Sequence, residues 1–127
     1  MLRKSVGPVR VMGFARYQKR ADVETARLID AALTWQETFL RPVDGILFHA
    51  FLGNLNGGFS DIILARDDQS FEGMLKAYDD AESAKTFMAL LEPGTVRLSR
   101  NQILKQIASP PDAFSCVEFG TFKIADG

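Results

Sequence analysis

The sequence predicts an α+β domain in which helices cover one face of an antiparallel sheet. Three observations carry that reading. Residues Val9–Tyr17, Ile46–Leu52, Phe59–Arg66 and Cys116–Ile124 have strand lengths and are rich in branched and aromatic side chains. The stretch from Asp22 to Leu40 repeats apolar residues at helical spacing. A chain of 127 residues, 46% hydrophobic and 24% charged, has the size and composition of one globular domain, here residues 1–127, with a core of its own.

Val9–Tyr17 opens the sheet, and Gln18-Lys19-Arg20 breaks it. Asp22 then caps a helix whose apolar residues include Val23, Ala26, Ile29, Leu33 and Leu40, with Leu28, Ala32, Trp35 and Phe39 beside them, until Pro42 stops it. Ile46–Leu52 is nearly all apolar and reads as a central strand. The turn from Gly53 to Gly58 supplies left-handed positions, so Phe59–Arg66 returns antiparallel. Ser70 is placed to cap a helix carrying Phe71, Met74, Leu75 and Tyr78, and Asp80 a second carrying Ala84, Phe87, Met88 and Leu91, which ends at Pro93-Gly94. Ser99-Arg100-Asn101-Gln102 has the form of a capping box and predicts a further helical segment, Ser99–Ser109, broken by Pro110-Pro111. Cys116–Ile124 alternates and closes the chain as a strand. The order is the ferredoxin-like β-α-β-β-α-β arrangement, with an elaborated second helical crossover.

Strand parity leaves a second face to cover. Ile46, Phe48, Ala50 and Leu52 fall on one side of the second strand, and Leu47, His49 and Phe51 on the other. A sheet apolar on both faces predicts a homodimer through its open face, because monomers seldom expose so large a patch. Fifteen Lys+Arg against sixteen Asp+Glu, a net charge of −1 and a sequence pI near 5.8 oppose a nucleic-acid partner. No run reaches the roughly 18–20 apolar residues that span a bilayer, so no membrane partner is expected. One cysteine, Cys116, excludes an intrachain disulfide and reads as a small buried hydrophobe. With no export signal read at the N-terminus, the expected location is cytoplasmic. One histidine and no carboxylate cluster predict no metal, and Gly53–Gly58, followed by a strand, predicts no phosphate-binding cofactor.

This combination resembles the dimeric α+β barrel superfamily, which includes antibiotic-biosynthesis monooxygenases, heme-degrading monooxygenases, muconolactone isomerase and stress-responsive barrel proteins. The resemblance spans roughly Val9 to Ile124. It rests on element order, on Phe39-Leu40-Arg41-Pro42-Val43-Asp44-Gly45-Ile46 leading into the second strand, and on Phe59-Ser60-Asp61-Ile62-Ile63-Leu64-Ala65 with its following helix. It implies two sheets packed face to face across a twofold axis, with a ligand pocket between each sheet and its own helices. The activity it implies is cofactor-free oxygenation or isomerisation of a small aromatic or polyketide-like molecule; the alternative is a non-catalytic, stress-associated or ligand-binding dimer. Heme-degrading members use an asparagine on the first strand, and Val9–Tyr17 contains none.

His49 and Asp61 are the candidate catalytic groups. Histidine titrates nearest neutral pH, although one set among Phe48, Ala50 and Phe51 is most often structural. A nitrogen facing an open cavity would mark a functional ring. Asp61 and Glu118 are carboxylates inside apolar strands, where an acid faces water, meets a cation such as Arg10 or Arg16, or becomes a proton-transfer group. Trp35, Tyr17, Tyr78 and Glu118 are the candidate substrate-pocket residues, the aromatic ones also being natural core members.

Overall fold

The computed structural model describes residues 1–4, 7–106 and 111–125. Five strands form one sheet: β1 (Leu2–Arg3), β2 (Val11–Tyr17), β3 (Ile46–Gly53), β4 (Phe59–Ala65) and β5 (Arg97–Gln102). Their order across the sheet is β1-β3-β4-β2-β5, every pair antiparallel. Helices α1 (Thr25–Trp35), α2 (Asp68–Tyr78) and α3 (Glu82–Met88) pack on one face. With the short β1 set aside, β2-α1-β3-β4-α2α3-β5 is the ferredoxin-like split βαβ topology, its second crossover enlarged by one helix.

The helix-covered core joins Leu28, Ala32 and Trp35 of α1 to Phe71 and Met74 of α2, Phe87 of α3, and Val11, Tyr17, Ile63 and Ala65 of the sheet. Gly13 of β2 makes close contact possible: a Cβ there would lie 2.6 Å from the fully buried Phe71 ring. Gly57 and Gly58 adopt φ of 88° and 82° in the β3–β4 turn, the left-handed conformations expected of them.

Several local expectations change. Residues 97–102 form the edge strand β5 instead of opening a helix, with Val11 opposite Gln102 and Arg16 opposite Arg97. A ladder of hydrogen bonds to β2 outweighs a capping signal worth about 1 kcal/mol. Of the predicted helix, residues 107–109 lie outside those described. Cys116–Ile124 joins no ladder, since β5 already occupies the β2 edge, and Cys116 is exposed instead of buried. The first helix begins at Thr25, with Glu24 and not Asp22 at its N-cap, and gives way after Trp35 to a π-helical turn, Gln36–Leu40. Asp67, not Ser70, caps α2, accepting from the Ser70 backbone N–H at 2.7 Å, and Ala81 precedes α3 in place of Asp80. A bulge between Ile46 and Phe48 turns Ile46 to the helix face, leaving Phe48, Ala50 and Leu52 on the other.

That other face holds Phe14, Phe48, Ala50 and Ile62, and the chain itself covers part of it. Phe119 stacks on Phe14 with ring centres 4.0 Å apart, and Phe114 on Phe48 at 6.2 Å. Among the described residues, no helix is long and apolar enough to cross a membrane.

Candidate active site

Strand register assembles the site. Asp61 on β4 lies opposite Ala15 of β2 and Phe51 of β3. Its diagonal neighbours on the same sheet face are therefore Tyr17 and His49, one on each adjoining strand, a spacing that long side chains bridge. The Tyr17 hydroxyl donates to Asp61 Oδ2 at 2.6 Å, and His49 Nε2 lies 2.7 Å from Asp61 Oδ1. The other ring nitrogen, Nδ1, is 3.0 Å from Gln36 Oε1. His49 is 0% exposed, Gln36 3% and Asp61 4%, so water has little access to any of them.

A cavity of about 180 Å³ lies between the sheet and the helices. Tyr17, Trp35, Asp61, Phe71, Tyr78 and Phe87 form much of its wall. Leu98 of β5 and Met88 of α3 also line it, and both are more than a third exposed, so the cavity reaches the surface between those elements. Trp35 is fixed by stacking on Phe87 at 5.4 Å and by edge contacts with Tyr78 at 5.9 Å and His49 at 5.0 Å. Its buried indole N–H has no acceptor among the described residues, unusual for a group that costs about 1–3 kcal/mol to leave unpaired.

Burial and the neighbouring Asp61 carboxylate push the Tyr17 hydroxyl far above the ordinary tyrosine range. Burial, and then Asp61 and Asp79, push Tyr78 in the same direction. Both phenols therefore remain proton donors at neutral pH. The site offers a carboxylate backed by an imidazole, with two phenols beside it, around an apolar space, a set suited to accepting a proton from a bound molecule. Among the described residues, no three His, Cys, Asp or Glu side chains converge as metal ligands.

Tyr17, Trp35, Asp61 and Tyr78 thus share one cavity. His49 is not part of the cavity wall and reaches it only through Asp61. Glu118, expected among the pocket residues, is exposed on the C-terminal segment and does not line the cavity. Asp61 meets neither Arg10 nor Arg16; its partners are His49 and Tyr17. Gln36 was not foreseen. Its signal is a polar residue at four-residue spacing in the stripe Leu28, Ala32, Gln36, Leu40, whose other members are buried and apolar.

No protein-family profile matches the sequence, and no curated protein matches it. Solved structures do. The cofactor-independent oxygenase SnoaB from Streptomyces nogalater, in a single-residue variant, superposes with a TM-score of 0.65 at 15% identity over 79% of this chain and 98% of that one. A monooxygenase from the gene ActVA-Orf6 of Streptomyces coelicolor, in complex with the ligand nanaomycin D, gives 0.63 at 14% identity over 79% and 92%. A dimeric ferredoxin-like protein of unknown function from Thermobifida fusca YX gives 0.61 at 11% identity over 75% and 92%. At the level of fold, the chain therefore has the α+β ferredoxin-like architecture of these oxygenases and ferredoxin-like dimers, in keeping with the superfamily that its sequence resembles.

Proposed function

We propose that the protein binds a small aromatic molecule between its sheet and helices and catalyses a cofactor-free proton abstraction that leads to oxygenation. The observation that carries this reading is the Asp61 carboxylate, buried between His49 and Tyr17 at the wall of an apolar cavity. Size favours one ring. An apolar cavity of about 150 Å³ holds benzene, so the 180 Å³ here suits a single-ring substrate better than a fused polyketide.

In the proposed step Asp61 takes a proton from an activated ring CH2 or its phenol tautomer, and the electron pair stays on the substrate as a delocalised anion. The charges remain balanced, since the cation gained by the Asp61–His49 pair faces the anion formed beside it in a medium of low dielectric. Dioxygen, the co-substrate, then adds to the carbanion, the peroxide anion so formed takes the proton back from the Asp61–His49 pair, and loss of water from the hydroperoxide leaves a carbonyl. One oxygen atom enters the product and the other leaves in water, so the CH2 group supplies every electron and no external reductant is required. Return of the proton to a different atom would instead give an isomer. The oxygenases of like fold support the reading, as does the likeness to a ferredoxin-like dimer, from which we also propose that this chain works as a homodimer.

Calorimetry and oxygen uptake with a panel of monocyclic phenols and cyclic ketones test the proposal. The expected result is binding with uptake in the native protein, and binding with a loss of uptake of about 100-fold or more in Asp61→Asn. Binding without turnover in the native protein selects the non-catalytic alternative, and equal turnover in the variant removes Asp61 as the base.

A further inference from the structure

We infer that Gln36 is a positioning residue whose amide, held by the Glu37–Arg41 ion pair, fixes the proton of His49 on Nδ1 and so aims Nε2 at Asp61. Its importance for turnover rests on the function proposed above; the placement of the proton does not. The π-helical turn closes with the Arg41 N–H donating to the Gln36 carbonyl at 2.9 Å. It leaves Trp35 and Gln36, adjacent in sequence, both buried, so the amide enters the core beside the indole. At its other end the amide meets the surface: Gln36 Nε2 donates to Glu37 Oε1 at 3.0 Å. Arg41 grips the same carboxylate with two bonds, Nε to Oε2 at 2.6 Å and Nη2 to Oε1 at 2.8 Å.

The rest follows from donors and acceptors. The bonds from Arg41, and then that from Gln36, hold the Glu37 carboxyl down at about 2, so near neutral pH it is ionised and only accepts. Gln36 must therefore turn its NH2 outward, which leaves its carbonyl oxygen facing His49. A carbonyl oxygen cannot donate, so Nδ1 carries the hydrogen of that contact. One proton then remains for Nε2 and Asp61 Oδ1 to share, and the buried pair is neutral overall wherever that proton sits. A half-exposed ion pair thus dictates the tautomer of a fully buried ring.

His49 is the sole histidine of the sequence, so its ring nitrogens give unambiguous long-range proton–nitrogen correlation spectra in full-length protein labelled at histidine. At neutral pH Nδ1 is expected to bear a proton in the native protein. In Glu37→Gln, a change at a half-exposed site, the Gln36 amide loses its fixed orientation, and a second population with an unprotonated Nδ1 is expected. A native Nδ1 without a proton overturns the proposal, as does a Glu37→Gln spectrum identical to the native one. Because no substrate is present, an inactive protein with the expected spectrum defeats only the proposed activity.

Discussion

His49 Nε2 and Asp61 Oδ1 meet at 2.7 Å as a buried pair, on adjacent strands and diagonal in register. Such a pair is costly to break from one side. Asp61→Leu leaves the His49 nitrogen and the Tyr17 hydroxyl without their partner, and a loss of about 3–5 kcal/mol is expected in urea unfolding. Adding His49→Phe removes the stranded ring, so the double variant is expected to lose less than the sum of its single changes. Additive losses would show that the two side chains do not act as a unit.

Alkali provides a second test. Tyr17 and Tyr78 are the sole tyrosines of the sequence, and burial raises both, with Asp61 adding to each. A group with a raised folded pKa stabilises fully below its unfolded value, near 10 for tyrosine, and loses that contribution as pH rises above it. Between those limits the folded state binds more protons than the unfolded one, so stability falls with rising pH. Tyrosinate absorbance is therefore expected to appear together with loss of the fold, and Tyr17→Phe to shallow the alkaline decline. A full tyrosinate signal near pH 10 from folded protein would contradict the burial of both rings.

The split βαβ order was legible because the glycine-rich turn at Gly53–Gly58 and the long periodic stretch ending at Leu40 are strong local signals. The last strand was not. Arg97–Gln102 is polar at every position but Leu98, as a sheet edge tolerates, and its capping-box pattern describes a local preference that the β2 ladder overrides. Cys116–Ile124 has the alternation of a strand but no free edge of β2 to join. Within the site, residue type drew attention to His49 and Asp61, and register explains why they meet. Gln36 continues the buried stripe Leu28, Ala32, Leu40 at regular helical spacing, and it stayed hidden because a neutral amide, unlike His49 or Asp61, carries no titratable group to draw attention.

Gly13 tests how closely helix and sheet must approach. Its missing side chain lets the far edge of the buried Phe71 ring lie directly on β2, while the same ring borders the cavity. Gly13→Ala brings a methyl carbon to 2.6 Å from the Phe71 ring, well inside van der Waals contact, and overpacking of this kind costs about 1–3 kcal/mol. The expected outcome is a lowered urea midpoint at unchanged slope. An unchanged midpoint would mean that the Phe71 ring shifts into the adjoining cavity at little cost.

The sheet face away from the helices bears on assembly. Phe14 and Phe48 are covered there by Phe119 and Phe114 of the same chain, yet Phe122 and Ile124 on that segment remain 89% exposed. The segment therefore covers part of this sheet face while exposing new apolar surface, and exposed aromatic and branched residues so close together favour a further partner. If that partner is a second copy, light scattering of the full chain at micromolar concentration gives the mass of a dimer. Phe122→Asp and Ile124→Asp, which place charge on the exposed side of the segment without touching the Phe14–Phe119 stack, are then expected to shift the equilibrium toward the monomer. A monomeric mass for the native chain would remove the homodimer from the proposed function.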